Sequence, residues 1–184
     1  MRKNATRFVI LGLLAEGPMT GYDIKKIIDI RFRYFWSESY GQIYPELKKL
    51  TKEGLLEHLP GEPDDGARQK KRYKITDEGK GAFAGWMSLP PEVERQRSEF
   101  LLKLYWAPWL SQRKISDFVG DFSRRHGKDL DILQRMESEM ESIVDDHANH
   151  WWILRILRLG QRVNEVYLGW AKELLTEMEE REHD

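Results

Sequence analysis

The sequence predicts a mainly α-helical chain with one small β-hairpin, built in two parts of different character. Three observations predict it. Up to residue 89 the apolar runs are short and separated by turn residues, and beyond it they lengthen into helical stripes with almost no strand pattern. Between the two lies LPPE, 89–92, where Pro90-Pro91 cannot continue a helix and forces an extended connection. Two strand-like segments, 55–59 and 69–76, flank a loop rich in glycine and acidic residues. The expected division is 1–89 and 90–184.

The first part opens with Phe8 to Leu14, apolar at six of seven positions, which fits a buried helix or a strand. Gly17-Pro18 stops it. Thr20 with Asp23 three residues on is a capping box for a second helix carrying Ile24, Ile27 and Ile28. Ser39 with Gln42 is another, opening a third helix that stops at Gly54. LLEHL, 55–59, and QKKRYKIT, 69–76, form the hairpin, and Thr76 caps a further helix, DEGKGAFAGWM. Helix, helix, helix, strand, strand, helix is the order of a winged helix-turn-helix.

Composition sets the outer limits. The 184 residues are 40% hydrophobic, enough for a packed core and too much for a disordered chain. The absence of cysteine excludes disulfides, a thiol nucleophile and cysteine-held zinc or iron–sulfur groups. No apolar leader core opens the sequence, and no run reaches the roughly 18 apolar residues of a membrane span, so a cytoplasmic protein without a membrane partner is expected. The net charge of −1 hides an asymmetry. Residues 1–89 hold 16 Lys+Arg against 12 Asp+Glu, or +4, whereas 90–184 hold 14 against 19, or −5. Only the front suits a polyanion.

Wound at 100° per residue, the third helix puts Tyr40, Ile43, Leu47 and Leu50 on one face, the expected core face. The opposite face collects Gly41, Pro45, Lys48, Lys49 and Lys52, flanked by Gln42 and Tyr44. Its first turns are small or flat and its later turns cationic, which suits a DNA major groove about 12 Å wide with phosphates along both walls. Gln42 fits a bidentate contact to adenine, Tyr44 a base edge or phosphate, and the three lysines phosphates. The helix start at Ser39 and Gly41 favours an anion. A solvated face also looks like this, so the hairpin matters. Arg68, Lys70, Lys71, Arg72 and Lys74 place five cations in seven residues, and alternation sends Lys70, Arg72 and Lys74 outward along an expected strand edge, with Tyr73 and Ile75 inward. Edge lysines are also a defence against aggregation.

SESYGQIYPELKKLTKEGLL, 37–56, resembles the signature of the PadR family of transcriptional regulators, S-x-G-x-I-Y-P-x-L-x-x-L-x-x-x-G-L, through Ser39, Gly41, Ile43, Tyr44, Pro45, Leu47, Leu50, Gly54 and Leu55. MTGYDI, 19–24, is similar to that family's entry to the second helix, and RYKITDEGK to its wing exit. The loop GEPDDGARQ departs from it by being more acidic than many. The resemblance implies a repressor binding palindromic duplex DNA as a homodimer.

In the second part, FLLKLYW, 100–106, ends at Pro108, and Ser111 caps a helix carrying Ile115, Phe118, Val119 and Phe122. Leu133, Met136, Met140 and Ile143 continue by steps of 3, 4 and 3. Trp152, Ile156, Leu159, Val163, Val166 and Trp170 alternate steps of 4 and 3, with Leu174 and Met178 beyond. The expectation is an antiparallel pair of long helices whose stripe is completed by a partner chain, through Leu133, Met136, Met140, Ile156, Val163, Val166, Trp170 and Leu174. Close packing is the expected reason for Gly160 and Gly169. The resemblance, looser here, also implies dimerisation by a helical C-terminal domain.

Trp86, Tyr105, Trp106, Trp109, Trp151 and Trp152 are either core and dimer contacts or the lining of a cleft for a small aromatic ligand, which the resemblance implies for some members. Asp146, His147 and His150 lack the further ligands a metal needs, so neither a metal nor a cofactor is expected. No Ser/His/Asp order, phosphate loop or carboxylate pair suggests an enzyme. A second class of function is a protein-interaction adaptor, working through the helical second part with weak DNA binding.

Overall fold

The computed structural model describes residues 5–33, 35–59, 71–93, 97–142 and 149–183, with side chains to 181. Arg68, Lys70, the loop GEPDDGARQ, Ile143, Asp146 and His147 lie outside the described residues. The chain divides into two compact units, Met1–Val93 and Glu94–Asp184, so the break falls just past the double proline.

In the first unit α1 (Ala5–Glu16) resolves the helix-or-strand ambiguity. It buries Thr6, Ile10, Leu11, Leu13 and Leu14 and packs on α3, α4 and β3. After β1 (Met19–Thr20), the Thr20 hydroxyl accepts from the Asp23 amide while the Asp23 carboxylate accepts from the Thr20 amide, closing the capping box that starts α2 (Gly21–Ile27). A π-helical turn, Ile28–Phe32, widens the end of α2 before the chain crosses to α3 (Tyr40–Lys52). Gly54, at φ +77, takes the left-handed step that turns α3 into β2 (Leu56–Leu59). β3 (Arg72–Ile75) and α4 (Asp77–Met87) follow, with Thr76 capping α4. Gly79 of that cap lies so close to β2 that a Cβ there would meet the Leu55 carbonyl oxygen at 2.2 Å, the steric reason for glycine in the wing-exit motif.

The sheet is antiparallel in the order β1-β3-β2, with Met19 opposite Tyr73 and Leu56 opposite Ile75. The expected two-stranded hairpin is thus completed by a third strand, and β3 is central, not an edge. β1 is two residues long, too short for alternation to reveal. One core of Ile10, Leu11, Leu14, Ile24, Ile28, Ile43, Leu47, Leu50, Tyr73 and Ile75 holds the unit together.

The second unit consists of α5 (Glu99–Tyr105), a 3₁₀ turn (Ala107–Trp109), α6 (Gln112–Ser142) and α7 (His150–His183). α6 and α7 are antiparallel, as their rungs show: Gln112 to the Met178 carbonyl, His126 to Asn164, and Glu137 to Arg158. Among the described residues no helix is long and apolar enough to cross a membrane.

Candidate nucleic-acid interface

α3 has one face in the core and one in solvent. Ile43, Leu47 and Leu50 are fully buried, and Gly41, Gln42, Tyr44, Pro45, Lys48, Lys49 and Lys52 are exposed. Tyr40, expected on the core face, is 45% exposed; the inner face is completed by Glu46 instead. Lys48, Lys49 and Lys52 make no ion pair among the described residues, whereas Lys25 pairs with Asp29 and Lys80 with Asp77. Three unneutralised ammonium groups on one exposed ridge suit a run of phosphates.

The start of α3 modifies the expected reading of Gln42. Its Oε1 accepts from the Ser39 amide at 2.8 Å, so the side chain closes its own helix cap. Its Nε2 is the end left for a base, which favours acceptor edges over the expected bidentate pairing with adenine. Pro45 supplies no amide to the Gly41 carbonyl, and a Cβ at Gly41 would meet nothing nearer than the Ser39 hydroxyl at 3.6 Å, so the first turn is open to close approach.

Tyr44 is placed by a residue that sequence reasoning passed over. Its ring lies across Gly21, at the first position of α2, and a Cβ there would sit 2.7 Å from Cε1. The Tyr40 ring stacks on it at 6.1 Å, with the Lys25 ammonium 5.6 Å from the Tyr40 ring centre. Burial holds the Tyr73 phenol above its usual pKa of 10.0, helped by the neighbouring Tyr44 phenol. The MTGYDI and IYP motifs therefore meet in space. Tyr22, next in sequence to Gly21, is 57% exposed.

In the wing, Tyr73 and Ile75 point inward as alternation requires. Arg72 is half-buried and donates from Nη2 to the Pro18 carbonyl at 3.0 Å, and Lys74 pairs with Glu57 at 3.1 Å across the strands. Both cations are partly committed within the fold, because a central strand has neighbours on both sides. Lys71 is exposed. The Asp23 carboxyl is held below its usual range first by the Thr20 hydroxyl, with Arg72 and Lys26 adding attraction. Glu38, 5% exposed just before the α3 cap, accepts from the Thr6 hydroxyl at 2.7 Å and the Trp36 indole at 2.8 Å, tying the α3 approach to α1. Nothing in its spacing marked it.

In the second unit the residues expected to face a partner divide. Leu133 is fully buried, its Cδ1 3.0 Å from where a Cβ on Gly160 would stand, so it belongs to the α6–α7 seam of its own chain. Trp170 and Leu174 pack against the cluster of Val119, Phe122 and Ala171, with the Phe100 ring of α5 edge-on to Trp170 at 6.0 Å. Met136 and Met140 are half-buried. Ile156, Leu159, Val163 and Val166 remain exposed, at 48, 64, 40 and 67%. The inner seam instead runs through Leu157, Gly160, Asn164 and Ala171, whose small or polar residues hid it from a hydrophobic count. Asn164 fixes it: Nδ2 donates to the Gly160 carbonyl, so Oδ1 accepts from His126 Nδ1 at 2.7 Å. Among the described residues nothing lies within 4 Å of where a Cβ on Gly169 would stand, so close packing within the chain accounts for Gly160 and not for Gly169.

Of the six aromatic candidates, Trp86 belongs to the first unit and the other five to the second. Trp86 stacks on Phe8 at 4.7 Å and beside Phe83 within the first unit. Tyr105 and Trp106 meet edge to face at 5.0 Å, and Trp109 is 85% exposed. Trp151 and Trp152 meet edge to face at 4.7 Å, with Arg155 over Trp151. None of the six lines the open groove between α5 and α6, about 820 Å³, which is bordered by Phe100, Phe118, Phe122 and His126. Among the described residues no group of His, Asp and Glu suits a metal ion.

Residues 10–85 match the model of the transcriptional regulator PadR-like family, and residues 96–179 that of the virulence activator alpha C-term family. The negative transcriptional regulator PadR of Bacillus subtilis is 37% identical over 139 residues, 74% of this chain and 75% of that protein. The crystal structure of Bacillus subtilis PadR in complex with operator DNA aligns with a TM-score of 0.80 at 31% identity, covering 94% of this chain and 98% of that one. The same protein in complex with p-coumaric acid aligns with a TM-score of 0.76 at 30% identity, covering 96% and 99%. With a winged helix-turn-helix unit, a helical second unit and these matches along both, the chain belongs to the PadR family of transcriptional regulators.

Proposed function

We propose that the protein is a homodimeric repressor that binds palindromic operator DNA through α3 and the wing, and that a small aromatic compound releases it. The observation that carries the DNA reading is the outer face of α3. A helix held by a fully buried inner face presents Gly41, Gln42 and Tyr44 at its start and, behind them, three lysines that pair with no acid among the described residues. The early residues suit base edges and the lysines suit the phosphate walls. The wing adds Lys71, Arg72 and Lys74, with Arg68 and Lys70 proposed beside them. The operator complex of the Bacillus subtilis relative supports this reading.

The exposed stripe Ile156, Leu159, Val163 and Val166 supports pairing with a second copy, which would present two α3 helices to half-sites about 34 Å apart. The effector reading draws on the p-coumaric acid complex of the relative and on the exposed Tyr105, Trp106, Trp109, Trp151 and Trp152. In a cell, this function places the protein in the cytoplasm.

Selection of bound duplexes from a random pool, followed by titration with aromatic acids, tests the whole reading. A palindrome whose affinity falls on adding one of the acids is expected. Tyr44→Ala or Gln42→Ala should then cost about 1–3 kcal/mol at the selected duplex, and unchanged affinity in both would remove the recognition role of α3. Lys48→Ala should weaken all sequences alike and lower the salt slope by about 0.9 for each phosphate that is no longer neutralised.

A further inference from the structure

We propose that Gly21 is a positioning residue for DNA recognition: it provides the flat seat that fixes the Tyr44 ring before DNA arrives. The inference rests on the DNA reading of α3 above and adds a residue on a different helix to it.

The backbone gives no reason for glycine at 21. It is the first residue of α2, and among the described residues the glycines with positive φ are Gly17 and Gly54. Alanine is the better helix former, so local energetics favour replacing it. The requirement is spatial. A Cβ at 21 would stand 2.7 Å from Tyr44 Cε1, 3.0 Å from Cζ and 3.2 Å from Leu47 Cδ1. The leucine methyl has rotamers to move into, but a rigid ring pressed on a main chain leaves the contact only by swinging as a whole.

Tyr40 stacks on the same ring, so Tyr44 is constrained by a neighbour on α3 as well as by α2. A side chain restrained in this way loses little rotamer freedom on binding. Its hydroxyl meets the duplex at one place, so the seat should favour the selected sequence specifically. Lys48, Lys49 and Lys52 lie further along α3 and suit phosphates rather than base edges, so binding to a scrambled duplex is expected to be independent of the seat.

The test compares Gly21→Ala, Tyr44→Ala and the double variant in the full chain, with Gly81→Ala as control, because a Cβ at 81 meets nothing within 4 Å. The probes are the duplex selected from the random pool and a scrambled duplex of equal length. Expected are a lower melting temperature for Gly21→Ala and a higher one for Gly81→Ala. Gly21→Ala should bind the selected duplex about tenfold or more weakly, with scrambled-duplex affinity unchanged. The double variant should bind like Tyr44→Ala and melt above Gly21→Ala, since removing the ring removes the clash. Additive losses, or wild-type binding by Gly21→Ala where Tyr44→Ala is impaired, would overturn the seat and leave the DNA reading standing. Wild-type binding by Tyr44→Ala would overturn the seat, and it would overturn the DNA reading as well if Gln42→Ala also bound like wild type. If Gly21→Ala folds too poorly to assay, recovery of folding in the double variant supports the seat and failure to recover overturns it.

Discussion

The two units solve the same problem, burying apolar surface, in opposite ways. The first wraps α1, α2, α3 and the sheet around one closed core, in which Ile10, Leu11, Ile24, Ile28, Ile43, Leu47 and Leu50 are wholly shielded. The second is a helix hairpin with a thin seam of Leu133, Leu157, Gly160, Asn164 and Ala171, and it leaves Ile156, Leu159, Val163 and Val166 in solvent. Two helices packed side by side bury one stripe each, and α7 carries two. The first unit closes its apolar surface on its own contacts, while the second leaves an apolar stripe that the proposed dimer would cover. That contrast separates residues whose loss unfolds the chain from residues whose loss changes what it assembles with.

The sharpest way to break the comparison is to charge the outer stripe. Ile156→Glu with Val166→Glu would bury two unpaired carboxylates in the proposed dimer, a cost of several kcal/mol, yet leave the monomer fold intact. Sedimentation should then report monomers with wild-type helix content, and an unchanged dimer would show that the stripe is not the contact. Leu47→Ala acts on the other side of the contrast. It should destabilise the first unit by about 2–5 kcal/mol in urea unfolding, independently of protein concentration.

A smaller effect separates the two faces of α7. Gly160→Val drives a branched side chain into Leu133 and should cost about 1–3 kcal/mol, whereas Gly169→Ala, in open space, should stabilise by up to about 1 kcal/mol. Equal effects at the two glycines would contradict the inner-seam assignment. The smallest effect concerns pH. The Tyr73 phenol titrates above 10.0 in the folded chain, so above that pH the unfolded chain loses this proton first. Its contribution is intact below pH 10 and is lost as pH rises through the raised folded value. Unfolding midpoints from about pH 9 to about pH 11 should fall, less steeply in Tyr73→Phe.

Much of this was legible in the residues. The capping box of Thr20 and Asp23 forms as its spacing requires, and so does the amphipathic character of α3. Local hydrogen bonds and period-3.6 patterning depend on neighbours within a turn, which the sequence presents in order. Contacts between distant segments were not legible. The placing of β3 at the centre of the sheet depends on Met19–Thr20, too short to carry a pattern. Beyond Gly160, the inner seam of α7 escaped an apolar count because asparagine and alanine do not mark a hydrophobic stripe, though small residues let helices approach most closely.

By itself, the sequence determined the class of this protein: a winged helix-turn-helix with a basic ridge on its third helix and a long helical second unit, because propensity, capping and charge act locally. Only the tertiary structure decided which of two stripes on α7 closes on its own chain. It also decided that Gln42 closes its helix cap and that Gly21 seats Tyr44. Each of these is a matter of ångströms between atoms that only the folded chain brings together. Packing sets such distances, and no periodicity encodes them.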